Sequence, residues 1–386
     1  MTHDERIATL EQLGYGPRQA AFLALVMLHG GYFVRRQVAS FLNRRDGGVA
    51  TAFLRTLVRR RHARVGVYRR RTHVYHVFAR RLYAAVGEEH NRNRREVAPA
   101  EIVRKVMTVD LVLHAPHAQW LATEREKVVY LTGRCGVPLG VLPATWYGSQ
   151  TDVFGGVVRY CVDKALLFVT PLDDTVSVAY VLSLDTTLTG FQSFLDTYTR
   201  LLSALPRALV VLCSPDPWGC DRAEQVMANW RRTAPARQAA MAARLRSELG
   251  IYYEARQRLE LGGAYALEAV RWAVRQRQAL AAVPRFDGLY DRWRAYGQPA
   301  IDQRLSLEPR VDVSHVRFSS RVFPHQYGLF GTALEPTHRR QHPRSGPRRT
   351  PIDFAGSCAA KAARRRPQRQ RRFSPGAPFA PGISRD

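Results

Sequence analysis

The first 90 residues alternate between helix-length apolar segments and turn residues, in an order that few folds share. Pro17 begins an apolar helix that ends at a pair of glycines, as expected where proline occupies the first helical turn and glycine follows the last. A short helix, VRRQVASFL (34–42), comes next, and a glycine-containing turn leads into a third, VATAFLRTLVRRRHA (49–63). The segment RVGVYRRRTHVYHV (64–77) then places two runs of β-branched and aromatic residues around three arginines, which predicts a hairpin.

Three helices followed by a two-stranded hairpin is the order of a winged helix-turn-helix domain, which we predict over residues 15–90. A generic helical bundle followed by a hairpin is the alternative, but it predicts no particular charge on the third helix. Here the third helix and the hairpin tip carry most of the local arginines, which favours the winged domain. The apolar period predicts these inward positions on the third helix: Val49, Phe53 and Leu57, with Leu54 and Val58 as further candidates.

The candidate DNA-contacting residues are polar side chains expected on the outer side of this domain. In a winged helix the third helix enters the major groove, where an arginine can donate two hydrogen bonds to O6 and N7 of guanine. Thr51 and Arg55 are therefore the candidates for base readout. The candidates for phosphate contact are Arg59 and Arg60 on the third helix, Arg69, Arg70 and Arg71 at the hairpin tip, and Arg35, Arg36, Arg44 and Arg45. A solvated charge cluster is the alternative for the hairpin tip.

The charge of the chain is concentrated at its two ends. Residues 1–97 hold 19 Lys and Arg against 7 acids and residues 336–386 hold 13 against 2, whereas the 238 residues between them hold 27 against 23. Arg outnumbers Lys 55 to 4, a bias that a GC-rich coding sequence produces in any protein, but such a bias would not leave the middle nearly balanced. The formal charge of +27 therefore indicates a nucleic-acid partner, which we take to be duplex DNA.

Strand and helix patterns alternate across residues 118–235, which predicts a small α/β domain. Strand-forming runs lie in VVRYCVDKALLFV (157–169), VSVAYVLSLD (176–185) and ALVVLCSP (208–215), and an amphipathic helix at 189–206 precedes the last of them. This order resembles the core of the PD-(D/E)XK nuclease fold.

In that nuclease fold two acids on neighbouring strands hold Mg²⁺ while a lysine assists the attacking water. The resemblance points to Asp163 and Asp185, but Asp185 is the sole carboxylate on its strand and no lysine follows at the expected spacing. We therefore predict no catalytic residues and no metal, and we regard Asp163 and Asp185 as vestigial candidates that cap strand ends. A Mg²⁺-dependent nuclease is the alternative.

The rest of the chain divides by composition. Residues 91–117 contain a helix expected to connect and pack against both domains, and residues 236–300 have a helical pattern whose mixed charges suit a solvated face or a partner-binding hairpin. Residues 301–386 are predicted to be irregular to disordered, because proline, glycine and arginine with few large apolar groups cannot bury enough surface. The predicted fold class is α+β: a winged helix-turn-helix, a nuclease-like α/β domain, a helical region and a disordered basic tail.

Other classes of protein and site are disfavoured by the sequence. The five cysteines show no CxxC spacing, which supports neither a zinc site nor a disulfide framework. The longest apolar run, AAFLALVML (20–28), is too short to span a bilayer and the N-terminus is not a signal peptide, so we expect a cytoplasmic protein without a membrane partner. Glycine-rich pieces lack the P-loop lysine and the GxGxxG spacing, so no cofactor or small-molecule substrate is expected.

Two groups of segments carry a further resemblance: YHVFARRLYAAVG (75–87), and YVLSLD (180–185) with TGFQSFLDTYTRLL (189–202). Through these segments the chain resembles the replication-relaxation family of plasmid and mobile-element proteins, and the resemblance covers residues 15–230. Ser183 stands where that family tends to have Glu, which argues against hydrolysis. The resemblance implies weakly specific or nonspecific duplex DNA binding in replication, relaxation or transfer of a bacterial plasmid or mobile element, with other replication or transfer proteins as further partners. A transcriptional regulator is the alternative.

Overall fold

The computed structural model is an α+β structure with mixed sheets. It describes residues 1–42, 47–68, 72–148, 156–161, 165–182, 188–261, 288–308, 310–323 and 327. All of these belong to one unit, Met1–Arg339, and the predicted basic tail beyond it lies outside the described residues. Within the described ranges, no helix has the length and apolar character needed to cross a membrane.

The N-terminal part contains the predicted helices and hairpin, together with two elements that the sequence pattern did not predict. Its elements are α1 (His3–Gln12), α2 (Pro17–His29), β1 (Tyr32–Val34), α3 (Arg35–Phe41), α4 (Gly47–Arg59), β2 (Ala63–Tyr68), β3 (Thr72–Val77) and α5 (Arg80–Ala85). The unpredicted elements are α1 and β1. Strand β1 pairs antiparallel with β3, which also pairs antiparallel with β2, so the sheet has the order β1-β3-β2.

An aromatic core joins α2, β1 and α4. The ring of Phe22 on α2 meets Phe33 and Phe53 edge to face, with ring centroids 5.2 and 6.3 Å apart. The expected inward residues Phe53, Leu54 and Leu57 are buried, as is Ala50. Two residues expected to face inward do not: Val49 is 47% exposed and Val58 is 37% exposed. Successive residues of a helix are rotated by about 100° around its axis. When the buried face is centred on Ala50, Phe53 and Leu57, Val49 and Val58 therefore lie at its two margins.

Helix α6 (Pro99–His114) lies between the N-terminal part and the central sheet. All of its residues from Ile102 to Val112 are buried except Arg104, which is half-buried. On one side α6 meets residues of β1 and β3, and on the other it meets residues of the central sheet that include Phe168 and Val211. Helix α6 therefore packs against the N-terminal part on one side and against the central sheet on the other.

The central part is built on a five-stranded sheet. The elements of this part are β4 (Gln119–Leu121), α7 (Glu124–Val129), β5 (Ala144–Gly148), β6 (Gly156–Tyr160), β7 (Leu166–Thr170), β8 (Thr175–Val181), α8 (Leu188–Ala204), β9 (Ala208–Ser214), α9 (Pro217–Glu260) and β10 (Arg317–Val322). The strand order is β10-β9-β8-β7-β4; β8, β9 and β10 are parallel, whereas β7 and β4 run antiparallel to their neighbours. Alternate residues of β9 point to opposite faces: Val210 packs with α8 and α9, and Val211 packs with α6.

The segment 157–169, predicted as one strand or hairpin, contributes to two different sheets. Its first half pairs with β5 in a separate two-stranded sheet, and its second half is β7 of the five-stranded sheet. Cys161 lies between them with a φ of 49°, a left-handed conformation that is uncommon for a residue with a side chain. The ammonium of the buried Lys127 donates hydrogen bonds to the carbonyl of Cys161 (2.9 Å) and to the carbonyl of Ala165 (3.2 Å), just before β7.

The prediction of an irregular chain from residue 301 onward is wrong for its first part. Beyond α9 the chain forms α10 (Tyr290–Tyr296) and α11 (Gln298–Ser306), and then the edge strand β10. The sequence of β10, RFSSRV, shows little apolar alternation, because this strand is held by main-chain pairing with β9 and most of its residues stay at least partly exposed. Helix α9 also continues through the exposed Pro235, across the boundary between the predicted α/β domain (118–235) and the predicted helical region (236–300).

Candidate nucleic-acid interface

Helix α4 presents one row of exposed residues to solvent, which we call the α4 ridge: Gly48, Ala52, Arg55 and Arg59. Their spacing of four, three and four residues places them along one line of a 3.6-residue helix. The opposite face is fixed in the core, which sets the direction of the ridge. Neither Arg55 nor Arg59 forms a hydrogen bond or ion pair with any residue that the structure describes. Thr51, the other predicted base-reading residue, is half-buried beside the ridge.

The surroundings of the α4 ridge are strongly basic in sequence. Residues 13–79 contain 13 arginines and a single acid, Asp46, which lies outside the described residues. Acids elsewhere in the chain pair with two of these arginines, Arg36 with Asp110 and Arg64 with Glu96. The segment still carries an excess of cations, and such an excess attracts a polyanion. The same segment therefore combines a fixed helix surface with a net positive charge.

Three consecutive arginines at the end of α4 lie in three different environments. Arg59 lies on the α4 ridge. Arg61 has a φ of 55° and ends the helix, and the amide of His62 that follows donates to the carbonyl of Leu57 at 3.0 Å. Arg60 was predicted to contact phosphate, but its guanidinium is bound to the protein.

Arg60 closes the turn between α1 and α2. Its Nη1 donates to the carbonyls of Leu13 (3.0 Å) and Gly14 (3.3 Å), and its guanidinium lies 5.3 Å from the centre of the Tyr15 ring. The Tyr15 hydroxyl is 2.5 Å from Nδ1 of His62, and burial raises the pKa of this hydroxyl while the Arg60 cation opposes the rise. The structure thus gives Arg60 a structural role that the sequence did not predict.

Arg36, also predicted to contact phosphate, points toward α6. Its two terminal nitrogens each donate to a carboxylate oxygen of Asp110, both at 2.6 Å. Asp110 is 1% exposed and also accepts a hydrogen bond from the hydroxyl of Tyr327. Arg35 and Arg36 are both exposed, Arg36 to 40% of its side chain. The guanidinium of Arg36 is nevertheless paired with the buried Asp110.

Several predicted residues lie outside the described residues: Arg44, Arg45, Arg69, Arg70, Arg71, Asp163 and Asp185. Strands β2 and β3 extend to Tyr68 and Thr72, so the base of the predicted hairpin is present. Within the described ranges, no group of three His, Cys, Asp or Glu side chains could hold a metal ion.

Polar contacts fix the N-terminal part to α6 and its surroundings. The ammonium of the buried Lys105 donates to the carbonyl of Gly30 (3.0 Å) and to Oδ1 of Asn93 (2.6 Å). Asn93 in turn donates to the carbonyl of Met27 at the end of α2 (2.9 Å), and Gln37 on α3 donates to the carbonyl of Val106 (2.8 Å). The sequence pattern did not predict these roles, because lysine and glutamine within a helix ordinarily indicate a solvated face.

His76 on β3 belongs to the same contact region. Its ring is 3% exposed and stacks on Tyr32, with centroids 4.0 Å apart. Nδ1 accepts a hydrogen bond from Nε of Arg64 (3.3 Å), so Nε2 carries the proton and donates to the carbonyl of Asn93 (2.9 Å). Burial lowers the pKa of His76 to about 4; the cations of Arg64 and Lys105 add to this and the hydrogen bond to Asn93 opposes it. His76 is therefore a neutral core residue.

A crevice of about 830 Å³ lies beside the start of α6 and has a different electrostatic character from the α4 ridge. Five glutamates line it together with six arginines and lysines, and two of the arginines pair with glutamates of the crevice. Nε of Arg159 lies 2.8 Å from Glu124, and Nε of Arg104 donates to Glu101 at 3.0 Å. Because these charges compensate within the protein, the crevice is a weaker candidate for a polyanion than the α4 ridge.

No family model, curated protein or solved structure matches this chain. The candidate interface is therefore defined by its own geometry and charge: an exposed helical ridge with two arginines that have no partner among the described residues.

Proposed function

We propose that this chain binds duplex DNA through a winged helix-turn-helix domain formed by residues 15–90. In this proposal α4 is the recognition helix and the β2–β3 hairpin is the wing. The order α2-β1-α3-α4-β2-β3, with a three-stranded sheet in the order β1-β3-β2, supports it. Helix α4 packs on α3 and β2, while α6 packs on α2, α3 and β1, so docking onto the central sheet leaves the α4 ridge open.

The observation that carries the proposal is the state of Arg55 and Arg59. Both are exposed on one ridge, and neither has a partner among the described residues. Arginine on a helix that enters the major groove can donate to guanine or to the phosphates on either side. We assign base contact to Arg55, which lies nearer the start of α4, and phosphate contact to Arg59.

The proposed binding is weakly specific. Most of the affinity would come from phosphate neutralisation, which does not depend on sequence, and on the ridge and its flank we assign base contact to Thr51 and Arg55 alone. We further propose, from the resemblance in sequence, that this binding serves replication, relaxation or transfer of a plasmid or mobile element. Other replication or transfer proteins would then be its partners.

Salt-dependent binding of the full chain tests the DNA-binding proposal. We expect R55A/R59A to bind a 25-base-pair duplex about tenfold more weakly than the wild type near 100 mM salt. The slope of log K against log salt should become less negative by about 2. DNA binding releases about one counterion fewer for each cationic side chain that no longer contacts the DNA. Fluorescence anisotropy of a labelled duplex measures both quantities.

The matched control is R222A/R232A, which removes two exposed arginines from α9, far along the sequence from the α4 ridge. It changes the net charge by two, as R55A/R59A does, and should leave the slope near the wild-type value. Contributions of the basic tail are common to all three proteins and cancel in the comparison. If R55A/R59A binds as tightly as R222A/R232A at every salt concentration, α4 is not the DNA-binding element.

A further inference from the structure

The α4 ridge and its flanks differ in chemistry between the two halves of the helix. The second half carries the cations Arg55 and Arg59. The first half exposes backbone at Gly48, the methyl group of Ala52, and Val49, whose side chain is 47% exposed although it is apolar. Val49 and Ala52 are three residues apart, so they are neighbours on the helix surface and form one small apolar patch.

The first half of α4 can offer few hydrogen bonds to DNA. Thr51 is the one polar side chain that it presents, and glutamine, asparagine or arginine, which pair with adenine or guanine edges, are absent from residues 47–54. In the major groove the apolar feature of a base pair is the C5-methyl group of thymine, which alanine and similar apolar side chains contact. Small side chains at 48 and 52 also allow the helix backbone to approach the base edges closely.

We infer that α4 selects duplex sites by contact of Val49 and Ala52 with thymine methyl groups, beside a guanine contacted by Arg55. This inference rests on the proposed function and adds the sequence class of the DNA. Val49 and Arg55 are six residues apart, or about 9 Å along the helix axis at 1.5 Å per residue. Base pairs are spaced about 3.4 Å apart, so the thymine lies within about three base pairs of the guanine.

Replacing thymine by uracil tests the inference, since it removes the methyl group and keeps every hydrogen-bonding atom. Randomised 30-base-pair duplexes are first enriched on the full-length wild-type chain, and the enriched pool is then resynthesised with either thymidine or deoxyuridine. We expect the wild type to bind the thymidine pool about fourfold more tightly for each methyl contact, from the transfer free energy of one such group. The enriched sequences should contain thymine within about three base pairs of guanine.

Variants assign the effect to α4. V49A should reduce the preference for thymidine over deoxyuridine, while V129A, the same change at an exposed valine of α7, should keep it. R59A should weaken binding to both pools by the same factor, because phosphates are identical in the two. Alanine has a higher helix propensity than valine, so V49A does not weaken α4.

The outcomes separate this inference from the proposed function. If the wild type binds both pools equally tightly, or if V49A keeps the full preference, methyl recognition by Val49 is wrong while DNA binding stands. If the wild type binds neither the starting nor the enriched duplexes, the proposed function itself fails, and the inference fails with it.

Discussion

Helices α4 and α6 contain similar types of residue but use their charged side chains in opposite ways. On α6, Lys105 and Asp110 are buried, and each is hydrogen-bonded to groups from the N-terminal part or the C-terminal segment. On α4, Arg55 and Arg59 are exposed and have no partner among the described residues. A buried ion needs a partner because its desolvation is costly, whereas an exposed one stays available to a ligand.

The arginines of the N-terminal part therefore fall into two groups with different roles, and neighbours in the sequence can belong to different groups. Arg36 and Arg60 stabilise the protein through internal contacts, and Arg55 and Arg59 are the candidates for DNA. Substitutions in the first pair should change the free energy of unfolding and leave the salt dependence of DNA binding unchanged. Substitutions in the second pair should do the reverse.

The largest expected effect is at the ion pair between Arg36 and Asp110. We expect R36M to lower the free energy of unfolding by about 3 kcal/mol, because it leaves the buried Asp110 carboxylate without its cationic partner. Urea denaturation followed by circular dichroism measures the loss. The control R55M removes an exposed arginine and should change stability by no more than about 0.5 kcal/mol.

DNA binding by R36M tests whether Arg36 contacts phosphate or acts only through its ion pair with Asp110. At a temperature where R36M is folded, its slope of log K against log salt should equal that of the wild type. A variant with wild-type stability and a flatter slope would show that Arg36 contacts phosphate and that the ion pair with Asp110 contributes little.

The pH dependence of stability should show the second largest effect, through His76. The folded protein binds a proton there only near pH 4, whereas the unfolded chain does so near pH 6.5. The unfolded state therefore gains protons first as the pH falls, and stability that is complete above pH 6.5 is lost between pH 6.5 and 4. From pH 7 to pH 5 we expect His76 to account for a loss of about 2 kcal/mol.

The variant H76Q isolates this contribution. Glutamine can still donate to the Asn93 carbonyl and accept from Arg64, but it does not titrate. We expect H76Q to be less stable than the wild type at pH 7 and to lose about 2 kcal/mol less between pH 7 and pH 5, since all other titrating groups are shared. Parallel stability curves for the two proteins would show that His76 is accessible to protons in the folded state.

The sequence predicted the elements whose signals are local. Helices α2, α3 and α4 and the hairpin strands follow from apolar period, from Pro17 and from the glycines around them, and all lie within a few residues of the predicted bounds. Strands β1 and β10 were missed because each is held by main-chain pairing with a distant strand rather than by its own pattern. Positions at the margins of the buried face of α4 were also predicted wrongly, as the exposure of Val49 shows.

The sequence predicted that the candidate site is made of arginines on and near α4, but it did not predict which of these arginines are available to a ligand. The outward direction of Arg55 and Arg59 follows from the helix period alone. That Arg36 is bound to Asp110, 74 residues further along the chain, depends on how α6 docks, and no local pattern contains this information. The same is true of Arg60, whose partners are carbonyl groups 46 and 47 residues earlier in the chain.

The smallest expected effect compares Arg59 with Arg60, which are adjacent in sequence. We expect R60A to lower the free energy of unfolding by about 1 kcal/mol, through loss of its hydrogen bonds to the α1–α2 turn and of its contact with the Tyr15 ring, and to leave the salt slope of DNA binding unchanged. R59A should keep wild-type stability and make the slope less negative by about 1. Urea denaturation and anisotropy titration of both variants measure the two quantities side by side. Arg59 is the last residue of α4 and Arg60 follows it, so the two substitutions remove the same group from neighbouring positions that have different contacts. If both variants make the slope less negative by about 1, the turn contact of Arg60 yields to DNA. If neither variant changes the slope, Arg59 does not contact phosphate.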